Sequence, residues 1–92
     1  MNTKDRIAEQ KIELFKAILS LQTLEACERF FDDICTINEI NAMTQRLEVA
    51  MLLKQGVTFN TIVDKTGAST ATISRVNRCL RYGSGGYDIV LK

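Results

Sequence analysis

The sequence predicts an all-α chain that ends in a helix-turn-helix, and three observations carry that prediction. Proline is absent and the first glycine is Gly56, so no helix breaker interrupts the first half. Apolar residues there recur at spacings of three and four, the period of a helix face. From Thr58 to Gly83 the run TFNTIVDKTGASTATISRVNRCLRYG then reads as two short helices joined at a glycine. The 92 residues make one small domain, which on scaling grounds buries only about 60 to 65% of its unfolded surface and gains from association. It divides into a helical dimerisation and core part at 1–56, the helix-turn-helix at 58–83 and a flexible tail at 84–92.

Each element has a local reason. Thr3 is placed to cap a first helix bearing Ile7, Leu14, Phe15, Ile18 and Leu19, and Thr23 to cap a second bearing Leu24, Cys27, Phe30, Phe31 and Ile34. Thr36-Ile37-Asn38-Glu39 fits a capping box, with Glu39 at the third helical position. It opens the longest helix, which carries Ile40, Met43, Leu47, Ala50 and Met51 on one stripe and stops at Gly56. These stripes are wide. Phe15, Phe30 and Phe31 offer more apolar surface than so short a chain readily hides, which marks them as core or dimer interface and not as a ligand cage.

In the helix-turn-helix, Thr58 caps a helix running over Ile62 and Val63 to Thr66, Gly67 supplies the left-handed turn and Ser69 caps the next helix. Ile73, Val76 and Leu80 fall at i, i+3 and i+7, one buried stripe. The opposite face carries Thr70, Ala71, Ser74, Arg75, Arg78 and Arg81, with small residues first, arginines after and no acid. Short side chains let a helix N-terminus approach base edges, threonine can bond to them or pack on a thymine methyl, and arginine reaches phosphates or guanine. The pattern suits double-stranded DNA. The wet side of an ordinary helical hairpin also carries such residues, so the spacing and the absence of acids carry the reading.

Charge separates along the chain. Residues 1–49 hold nine acids and six bases, a balance of −3, whereas residues 50–92 hold two acids and six bases, a balance of +4. A basic C-terminal half is what phosphate binding needs, because each neutralised phosphate releases counterions and adds salt-sensitive affinity. Hydrophobic residues make up 46% of the chain, too many for a disordered protein. The apolar runs are too short for a membrane span, and the charged start MNTKDRIAEQ has no signal-peptide character, so the expected place is the cytoplasm. Catalysis is poorly supported: histidine is absent, Cys27, Cys35 and Cys79 lack metal-ligand spacing, and no glycine-rich phosphate loop follows a strand. No cofactor or metal is expected. The cysteines read as small buried hydrophobes, with Cys79 the one to test for redox chemistry, and Gly83-Ser84-Gly85-Gly86 reads as a flexible joint.

The segment from Thr44 to Leu91, above all MTQRLEVAMLLKQG, TGASTATISRVNRCLRYG and the terminal GYDIVL, resembles the Trp-repressor-like proteins of the YerC/YecD type found in bacteria. The resemblance implies an all-helical, intertwined homodimer in which the N-terminal helices interlock and each subunit presents one helix-turn-helix to successive major grooves. It implies transcriptional regulation at a palindromic operator. Ser69, Thr70, Ala71, Thr72, Ser74, Arg75 and Arg78 match the family's recognition-helix region, and Asn60 lies at a first-helix position near the DNA backbone. Thr70, Ala71 and Thr72 are the expected base readers. Arg75, Arg78 and Arg81, with Lys54 and Thr58, are the expected phosphate contacts.

The control site transfers less well. In Trp repressor the co-repressor tryptophan lies between arginines beside the recognition helix. Arg75 matches one of these, but Gln45 stands at the second with Arg46 adjacent, Val76 replaces a glycine that leaves room for the indole, and Cys79 replaces a serine that meets the ligand amine. Gln45, Arg46, Arg75, Val76 and Cys79 thus outline a vestigial ligand pocket, and tryptophan is not its expected ligand. Any other small-molecule co-regulator stays open. The alternative from a different functional class is a helical protein-protein interaction module that works through the phenylalanine-rich helices without touching DNA.

Overall fold

Asn2, not Thr3, starts the first helix: its Oδ1 accepts the Asp5 N–H at 2.9 Å, and Thr3 becomes the first helical residue. Asparagine is at least as good a cap as threonine, and here it comes one position earlier. The computed structural model describes residues 2–92, in which six helices follow one another: α1 (Thr3–Leu19), α2 (Leu24–Ile34), α3 (Ile37–Lys54), α4 (Phe59–Thr66), α5 (Thr70–Tyr82) and α6 (Gly86–Val90). They group into two compact units that divide between Thr36 and Ile37. Within the second unit, helix α3 packs with α4 and α5.

The first unit, α1 and α2, is an arm without a core. Thr23 caps α2 as its sequence position suggests, accepting the Ala26 N–H at 3.0 Å. Phe30 and Phe31 meet edge to face with ring centroids 5.6 Å apart, and both are half-buried. No described residue of either helix is buried. Phe15 is 54% exposed, Leu19 82% and Leu24 89%.

In the second unit α3, α4 and α5 pack on one another around Val49, Ala50, Ile62, Ala68, Ile73 and Val76, all at most 2% exposed. Leu53, Val63 and Leu80 pack against this cluster. The stripe expected to be buried on α3 is thus split: Ala50 lies in the core, but Met43, Leu47 and Met51 are 38 to 44% exposed and Val49 takes the inner place. An α3 apolar on two sides gives a periodicity that does not say which side its own chain covers.

Past Gly83 the chain forms the short helix α6. Gly83 has no room for a side chain, because a Cβ there would run into the Cys79 carbonyl, which accepts the Gly83 N–H at 2.9 Å. Gly85 (φ 83°) starts α6, and Tyr87 and Leu91 pack against the core cluster. None of the cysteines is a buried hydrophobe: Cys27 and Cys35 are half-buried and Cys79 is exposed. Among the described residues no helix is long and apolar enough to cross a membrane.

Candidate nucleic-acid interface

Two capped helices meet at a tight turn. Thr58 caps α4 by accepting the Thr61 N–H at 3.4 Å and donates its own hydroxyl to Thr61 Oγ1 at 3.0 Å. Ser69 repeats the device on α5, accepting the Thr72 N–H and donating to Thr72 Oγ1, both at 3.1 Å. Between them Gly67, at φ 71°, adopts the left-handed conformation that favours a residue without Cβ, and its N–H bonds Val63 O at 2.9 Å. The turn is anchored by Ala68, which is 2% exposed.

Burying Ile73 and Val76 fixes which way the rest of α5 faces. Thr70, Ala71, Ser74, Arg75, Arg78 and Arg81 are all exposed, on one side of the helix. Among the described residues none of the three arginines pairs with a carboxylate, so the face keeps its full positive charge. Thr72 stands apart from this set. It is half-buried and its hydroxyl and N–H are both engaged by Ser69, so it belongs as much to the cap as to the exposed face. On α4 Asn60 is exposed near the helix N-terminus.

Lys54, the last residue of α3, is already partnered: its Nζ lies 2.6 Å from Asp88 Oδ1 on α6. Both side chains are partly exposed, so the pair is worth little in stability, but it removes one free cation from the end of α3. Asp88 was missed at the sequence level because an acid 34 residues away leaves no local signal.

The five residues of the suspected ligand pocket differ in exposure. Val76 is 1% exposed with its side chain in the core, whereas Arg75 and Cys79 are exposed. Gln45 is half-buried and its Nε2 donates to Thr66 O at 3.3 Å; Arg46 beside it is half-buried. Thr66 was not among the predicted functional residues, yet it bonds in three directions: its carbonyl to Gln45, its hydroxyl to Ile62 O at 2.7 Å, and its hydroxyl oxygen to the Ala68 N–H at 3.1 Å.

The described residues are all-helical, and α4 and α5 are joined by a glycine turn in the order that a helix-turn-helix requires. The model of the Trp repressor protein family matches residues 9–92. A Bacillus subtilis (strain 168) protein known only as uncharacterized protein YerC is 61% identical over 79 residues, covering 86% of this chain and 76% of that protein. The crystal structure of a candidate Trp repressor from Staphylococcus aureus superposes with a TM-score of 0.89 at 49% identity, over 99% of this chain and 91% of that one. A TrpR-like protein from Eubacterium eligens ATCC 27750 gives 0.87 at 56% identity, over 89% and 84%. This chain belongs to the Trp repressor family. No enzymatic family is indicated, and members of this one are regulators.

Proposed function

We propose that the protein is a sequence-specific DNA-binding transcriptional regulator that acts in the cytoplasm as a homodimer on a palindromic operator and is not controlled by tryptophan. The observation that carries this reading is the exposed, acid-free face of α5, with small residues at its N-terminal turn and three unpaired arginines beyond. Such a face lets the helix start sit close to base edges while the arginines take phosphates, Thr58 and Asn60 adding contacts from α4. Family membership supports the same reading. Lys54 becomes a phosphate contact only when it leaves Asp88.

The dimer rests on the arm. Helices that bury none of their described residues cannot hold themselves together by packing, and a second copy of this chain, presenting the same apolar surface, is the partner a two-fold assembly supplies. Two reading helices one DNA turn apart, about 34 Å, then meet two half-sites. Tryptophan control is disfavoured because Val76 fills its space with core packing and Gln45 is bonded within the chain. Fluorescence anisotropy on generic duplex DNA at two salt concentrations tests the reading, with steep weakening at higher salt expected. Absence of binding at either salt favours the protein-protein interaction module instead.

A further inference from the structure

We infer that Gln45 is a positioning residue for the reading helix: through its bond to Thr66 it sets the register of α5 against α3, and so the protein's discrimination between DNA sequences. The inference rests on the DNA-binding reading above. It begins with where the end of α4 puts its backbone acceptors. The last carbonyls of a helix have no partner within it and must find one outside. Val63 O takes the Gly67 N–H, and Thr66 O, the last of the helix, takes the side-chain amide of Gln45 from another helix 21 residues earlier.

This bond does something that the core does not. Val49 and Ala50 hold α3 against the cluster of Ile62, Ile73 and Val76 by apolar packing, which is strong but non-directional. Gln45 lies one turn before Val49 on the same side of α3, and a hydrogen bond, with its narrow range of distance and angle, fixes register where packing alone permits sliding. Its acceptor is the residue that holds the turn. The Thr66 hydroxyl oxygen receives the Ala68 N–H, and Ser69, the cap of α5, follows at once. A shift of Thr66 therefore carries Thr70, Ala71 and Ser74 with it.

Base readout and phosphate contact respond differently to such a shift. Short side chains at the helix start reach a base edge only within hydrogen-bond distance, whereas a long arginine follows a phosphate through its own torsions. Losing the tie lowers the preference for the selected sequence and leaves general DNA affinity intact.

The test uses the full chain, with a duplex selected from random fragments and its scrambled version, each at two salt concentrations, beside the thermal midpoint of every variant. Gln45→Met keeps length and volume but removes the donor. The affinity ratio of selected to scrambled duplex is expected to fall about three- to tenfold, the scale of one lost hydrogen bond, with the salt slope and scrambled-duplex affinity unchanged. Gln45→Lys, which restores a donor on an unbranched chain, is expected to recover most of the ratio. An unchanged ratio in folded Gln45→Met, a parallel loss on both duplexes that tracks the thermal midpoint, or no recovery in Gln45→Lys overturns the inference while the DNA-binding reading stands. Failure of the wild type to bind either duplex overturns both.

Discussion

The two units of this chain solve the problem of small size in opposite ways. The unit of α3, α4 and α5 closes a core of six residues, each at most 2% exposed, within its own chain. The arm of α1 and α2 closes none, and leaves Ile7, Ile12, Phe15, Leu19, Leu24 and Ile34 more than half exposed. One region is finished by its own sequence; the other presents an apolar surface whose burial waits for another. Local helix rules serve both equally well, so the difference lies in packing. The finished unit carries the polar, cationic face, and the unfinished one carries the exposed apolar surface on which the proposed assembly rests.

The largest expected effect falls on the finished unit. Ile73→Ala leaves a cavity among Val49, Ile62 and Val76, and should cost about 2–5 kcal/mol in a urea titration followed by helical circular dichroism. A loss below 1 kcal/mol would mean that this core is not what holds α5. The arm should respond in kind, not in degree. Phe15→Asp meets water within one chain, where Phe15 is 54% exposed, but puts an unpaired carboxylate into an apolar interface if two copies join there. Sedimentation equilibrium should show the dimer dissociation constant raised roughly hundredfold, about 2.8 kcal/mol, with hydrogen-exchange protection of α5 retained. A dimer as tight as wild type would detach assembly from the arm.

Finer tests divide the face of α5 itself. Arg78→Ala should weaken selected and scrambled duplexes alike and reduce the salt slope by about one per subunit, as the loss of one phosphate contact requires. Thr72→Ala should cost roughly 1 kcal/mol on the selected duplex and little on the scrambled one, while the Ser69 cap survives because it still accepts the backbone N–H of residue 72. The reverse pattern would exchange reader and clamp. The smallest effect is a null: with Val76 in the core, millimolar L-tryptophan should give no calorimetric heat and no change in DNA affinity. A tenfold gain, about 1.4 kcal/mol of coupling, would refute it.

What the sequence disclosed follows the range of each interaction. Caps at Thr23, Thr58 and Ser69 and the left-handed Gly67 are settled within four residues, and all are visible as short patterns of residue type. The inward stripe of Ile73, Val76 and Leu80 is legible because most of the rest of α5 is polar or small, leaving one way to turn it. On α3 the same reasoning chose Met43, Leu47 and Met51 and passed over Val49, since that helix is apolar on more than one side. Gln45 with Thr66 and Lys54 with Asp88 join residues 21 and 34 apart, and a single sequence holds no trace of such meetings. Helix α6 was lost to its glycines, which read as looseness where Gly85 in fact starts a helix.

Helix α5 keeps its two duties on separate residues. Ile73, Val76 and Leu80 look inward, and Thr70, Ala71, Ser74, Arg75, Arg78 and Arg81 look outward. Substitutions at outward positions generally move stability by no more than about 0.5 kcal/mol. If α5 reads DNA as proposed, a lineage of such proteins can therefore drift from one target sequence to another without passing through an unfolded ancestor, the scaffold staying fixed while its vocabulary changes. Thr72 is the exception. Half-buried and tied into the cap by Ser69, it is the position where a new preference would have to be reconciled with the fold.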